Sequence, residues 1–64
     1  MKLYAVHIFQ HTVGEWEDSL ELWSTSYVNA KNEKDATRKV HVPKDYDYGS
    51  SRIHYIVGAH EAQL

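Results

Sequence analysis

The chain has 64 residues and a formal net charge of −2, with 42% hydrophobic and 25% charged residues, five histidines and no cysteine. That length allows one domain, 1–64, and such a domain buries only about 60% of the surface its unfolded chain exposes. The missing cysteines exclude disulfide staples and thiolate zinc sites, the ordinary composition argues against disorder, and the mild negative charge is too weak for a DNA mimic and of the wrong sign for a general nucleic-acid binder.

No stretch approaches the roughly 20 apolar residues of a membrane span, and the start, "MKLYAVHIF", lacks the small-residue cleavage site of a signal peptide. A reducing, cytoplasmic location is expected. The charges segregate: Glu15, Glu17, Asp18 and Glu21 are acidic, whereas Lys31, Lys34, Arg38, Lys39 and Lys44 are basic. Such clusters read as the two solvated ends of a small fold.

In chain order, Leu3 to Val13 alternates with a period of two and predicts a first strand, with Tyr4, Val6 and Ile8 on one face. Its other face carries Leu3, Ala5, His7, Phe9 and His11. "VGEWEDS" has the glycine and small polar residues of a hairpin loop. The β-prone run Leu20 to Ala30 forms a second strand, Leu20, Leu22 and Val28 sharing one face and Glu21, Trp23, Thr25, Tyr27 and Asn29 the other.

At Asn32 the pattern changes. Its side chain can cap a helix whose first turn holds Glu33 and Asp35 and whose end holds Arg38 and Lys39, with Ala36 and Val40 four apart toward the sheet. The helix is two to three turns long, because "HVPKDYDYGSS" supplies the proline, glycine and turn formers that stop it. Ile53, Tyr55 and Val57 then alternate with His54 and Ile56 in a third strand, and "HEAQL" is a tail.

These elements predict an α+β fold, β-β-α-β: a three-stranded, mainly antiparallel sheet with one short helix packed on one face. If the third strand returns beside the first, the first is central and is apolar on both faces for that reason; a right-handed crossover placing it parallel to the second strand is the other arrangement.

The helix would cover Tyr4, Val6, Ile8, Leu20, Leu22, Val28, Ile53, Tyr55 and Val57, leaving His7, Phe9, His11, Trp23, Tyr27, His54 and Ile56 on the opposite face. Each large ring can bury about 150–250 Å², so Phe9, Trp23 and Tyr27 exceed the apolar patch a monomer ordinarily exposes. Either Trp16 and the "KDYDYG" loop fold over that face, or a second copy of the chain does, or another protein does. The third option makes Phe9, Trp23, Tyr27 and Ile56 partner-binding anchors, with Tyr46 and Tyr48 as secondary contacts.

Other chemistry is less well supplied. His7 and His11 share a strand face but stand about 13 Å apart, so a zinc site would have to span strands, for example His7 with His54. No metal or cofactor is expected. Gly14, Gly49 and Gly58 are isolated and form no phosphate-cradling loop, and a small sheet with one helix offers little concave volume for catalysis. No enzymatic activity is expected. Nucleic-acid binding is the runner-up, through bases stacking on the aromatic face or phosphates meeting Lys34, Arg38 and Lys39.

The stretch "SYVNAKNEKDATRKV" is similar to the strand, Asn-cap and helix junction of small phage and mobile-element proteins, including some anti-CRISPR proteins. This resemblance implies an inhibitor or regulator of a larger host complex and assigns no functional residue.

Overall fold

A computed structural model describes residues 1–62. The first two strands are β1, Lys2–Val13, and β2, Asp18–Ala30; a helix, α1, Glu33–Arg38, follows, then β3, Tyr46–Tyr48, and β4, Ser51–Glu61. They form one antiparallel sheet in the order β2-β1-β4-β3. β1 is therefore central, which accounts for large apolar side chains on both its faces.

Three features correct the sequence-based picture. The sheet has four strands rather than three, because Tyr46–Tyr48, expected to lie in a loop, pairs with Ser51–Ile53. Gly49, at φ 62, makes this two-residue hairpin possible; positive φ at the first central position alone is the II′ pattern that glycine serves. The supposed tail is partly strand, since β4 runs on to Glu61, and the amide of Ala62 donates to the Leu3 carbonyl at 2.9 Å. Residues 63–64 of that tail lie outside the described residues. Finally, α1 spans six residues, fewer than two turns.

The helix is held by local chemistry. Asn32, in extended backbone, accepts the Asp35 amide through Oδ1 at 2.8 Å, and Asp35 Oδ2 reaches back to accept the Lys31 amide at 3.1 Å. These reciprocal bonds satisfy donors that the first turn leaves free. Lys39 Nζ lies 3.4 Å from the Asp35 carboxylate and donates to the Asn29 carbonyl at 2.8 Å, tying the helix end to β2.

The core lies under this helix. Tyr4, Val6, Ala30 and Ala36 are buried together, with Val28, Val40, Val57 and Ala59 packed around them; the methyl groups of Ala30 and Ala36 permit close approach of helix to sheet. Yet six helical residues extend only about 9 Å, whereas the molecule measures 43 × 19 × 13 Å. The helix roofs one end of one sheet face, side chains such as Trp23 and Tyr55 occupy the stretch beyond it, and the opposite face stands open.

Candidate protein-docking face

The strand registers define the open face row by row. Its middle row is Leu22–Phe9–Ile56, three apolar side chains side by side on β2, β1 and β4. On one side comes Leu20–His11–His54, then Asp18–Val13–Arg52 at the hairpin end; on the other come Thr25–His7–Gly58 and Tyr27–Ala5–His60. Leu20, Leu22, Tyr27 and Ile56 are 60%, 58%, 63% and 45% exposed, while Phe9 is half-buried between its neighbours.

This arrangement differs from the alternation of β2 in its sequence. The β1–β2 register shifts between Ile8 and Phe9, which pair with Ser24 and Leu22, so Trp23 is the unpaired residue of a bulge. The shift reverses the phase of everything nearer the hairpin. Leu20 and Leu22, expected under the helix, stand on the open face; Trp23, expected on the open face, packs against Tyr55 on the helix side.

Of the anticipated anchors, Phe9, Tyr27 and Ile56 do share the open face. Tyr46 and Tyr48 do not: they pair with Ile53 and Ser51 and so take the helix side, beyond the end of α1, where Trp23 and Tyr55 also sit. There burial, reinforced by Tyr46 and the Asp45 charge, pushes the Tyr55 hydroxyl above the usual tyrosine range. Trp16 does not fold over the open face; it is 90% exposed.

Four of the five histidines lie on the open face in two pairs. His7 and His60 meet head to head, their ring planes 21° apart and centroids 5.0 Å apart, sharing one N–H between their Nε2 atoms at 2.9 Å, while His7 Nδ1 is 3.0 Å from Thr25 Oγ1. His11 meets His54 edge to face at 4.5 Å and holds Asp18 Oδ1 at 2.7 Å. The pairing anticipated between His7 and His54 does not occur; His54 lies opposite His11 and Gly58 lies opposite His7. Among the described residues no group of three or more potential ligands is placed to hold a metal ion.

The bases proposed for nucleic acid belong to the other side of the sheet. Lys34 and Arg38 are exposed on α1, and Lys39 is held by the Asn29 carbonyl and Asp35. Arg52 is the basic residue near the open face, with Asp47 and Asp18 close by in the register.

Sequence reasoning passed over Leu20, Leu22 and His60 as members of this face. The leucines carried a signal, their hydrophobicity, but their side depended on the bulge; His60 was obscured by the short, polar end of the chain. No helix among the described residues is long and apolar enough to cross a membrane. No protein-family model, curated protein or solved structure gives a significant match to this chain.

Proposed function

We propose that this chain is a small, non-catalytic protein-binding module, a regulator or inhibitor that works by laying its open sheet face on a larger protein complex. The observation that carries the reading is the apolar row Leu22–Phe9–Ile56, flanked by Leu20 and Tyr27, at the middle of the open face. An apolar centre bordered by histidines, Thr25, Asp18 and Arg52 has the anatomy of such a surface. An inhibitor of the phage type, such as an anti-CRISPR, is the specific form of this proposal, and its support is the resemblance of the junction 26–40.

Charge favours protein over nucleic acid. Lys34 and Arg38 project from the helix side, so the stacking surface and these cations face opposite directions and do not serve one strand together.

The test is capture of binding proteins by the immobilised chain from a nuclease-treated lysate of the source cell. The same proteins should be lost with Leu22→Ser or Ile56→Ser bait, remain with Lys34→Glu/Arg38→Glu bait, and resist moderate salt. Equal capture by all baits, or recovery that disappears on nuclease treatment, contradicts the proposal.

A further inference from the structure

A second surface is independent of the open face. β2 has β1 on one side and no strand on the other, so it forms a long edge of the sheet. Edge strands in proteins that avoid self-pairing commonly carry lysine or proline, and Asp18–Ala30 contains no lysine, arginine or proline. Two features do blunt this edge, the bulge at Trp23 and the Lys39 ammonium on the Asn29 carbonyl. They bracket Ser24–Val28 and leave that regular, uncharged segment free.

The charges of the two ends decide what can pair with it. β2 leaves the acidic hairpin of Glu15, Glu17, Asp18 and Glu21 and arrives at an end where Lys31, Lys34, Arg38 and Lys39 outnumber Glu33 and Asp35. A parallel neighbour of the same kind would set acid beside acid and base beside base. An antiparallel neighbour sets each acidic end beside a basic one, twice, by symmetry. Among the described residues no ion pair engages Glu21 or Lys31.

We infer that the occupant of this edge is a second copy of the chain, paired antiparallel through β2 about a two-fold axis near Ser26. Ser24 then faces Val28 and Thr25 faces Tyr27; the bulge at Trp23 ends this regular register, so beyond it the acidic end carrying Glu21 comes near the basic end carrying Lys31 without entering a paired position. The axis stands perpendicular to the sheet, giving a continuous sheet of eight strands with both open faces on the same side. The dimer offers a doubled docking surface while leaving Leu22, Phe9 and Ile56 uncovered.

Sedimentation equilibrium of the full chain over a range of concentrations and salt tests this. The wild type should dimerise, and more weakly as salt rises. Glu21→Lys alone and Lys31→Glu alone should each weaken the dimer a few-fold, because each sets like charges near one another at both ends of the pairing. The double variant Glu21→Lys/Lys31→Glu should regain it, as should an equimolar mixture of the two single variants. Circular dichroism confirms that each variant is folded, and Phe9→Ala should leave self-association unchanged. A wild type that stays monomeric to millimolar concentration, a double variant no tighter than its parents, or a dimer abolished by Phe9→Ala each overturns the inference. Loss of captured proteins without loss of the dimer, or the reverse, separates this edge from the proposed docking face.

Discussion

Trp23 meets Tyr55 edge to face, with ring centroids 5.5 Å apart and planes at 70°, although the two belong to β2 and β4 and β1 runs between them. The rings reach toward each other on the face that carries Gln10, whose Oε1 lies 3.5 Å from the Tyr55 hydroxyl. This contact occupies the stretch of helix-side surface that α1 is too short to cover. It is made possible by the bulge, which turns Trp23 out of the alternation of its strand.

Trp23→Ala should therefore cost about 1–2 kcal/mol of stability, the worth of an aromatic pair plus partial burial, and should leave docking through the open face intact. Urea unfolding checks the first part. In a Trp16→Phe background, Trp23 fluorescence should be blue-shifted relative to a solvated indole.

Leu20 and Leu22 should behave in the opposite way. Both are more than half exposed, so Leu20→Ser and Leu22→Ser should change the urea midpoint little, by less than about 0.5 kcal/mol. Partner capture should fall sharply for Leu22→Ser, which breaks the central row.

The α1 cap gives a pH-dependent prediction. The Lys31 amide, with Lys39 and Arg38 nearby, holds the Asp35 carboxyl below its usual range, against a smaller opposing effect of burial. A carboxyl depressed in the folded state adds stability above its unfolded value, about pH 4, and that stability is lost as the pH falls through the folded value. Asp35→Asn should flatten this acid limb of a thermal-melt profile. Asn32→Ala, which removes the other half of the cap, should cost about 1 kcal/mol near neutral pH.

Tyr55 gives the alkaline counterpart. Burial, with help from Tyr46 and Asp45, raises its folded value above 10.0; stability is full below the unfolded value and is lost as the pH rises through the folded one. Absorbance titration near 295 nm should show a tyrosine ionising later than the others, and Asp45→Asn should bring it part of the way back.

Gly49→Ala should destabilise the β3–β4 hairpin by about 1–2 kcal/mol through its positive φ, even though open space surrounds the added methyl group. Exchange of the Tyr46–Tyr48 amides should accelerate while that of β1 does not.

Much of this architecture is legible in the order of residues. Period-two alternation in "LYAVHIF", the acidic loop "VGEWEDS" and the Asn32 cap each depend on neighbours close in the chain, so β1, β2 and α1 fall where local chemistry puts them. The position of β1 stands between two arrangements in the sequence, and the pairing of β4 antiparallel beside β1 decides it. β3 is not legible, since "YDY" between turn formers acquires strand character only by pairing with β4.

The composition of the open face was decided by tertiary structure. Sequence alternation assigns sides only while the phase is unbroken, and a single unpaired residue at Trp23 exchanged Leu20 and Leu22 for the indole. That residue is located by two registers meeting, one set from the hairpin and one from the core under α1, and neither is written in β2 alone. The sequence by itself determined that rings and aliphatic side chains would outnumber what one short helix can cover; the pairing of β2 with β1 determined which of them were left outside.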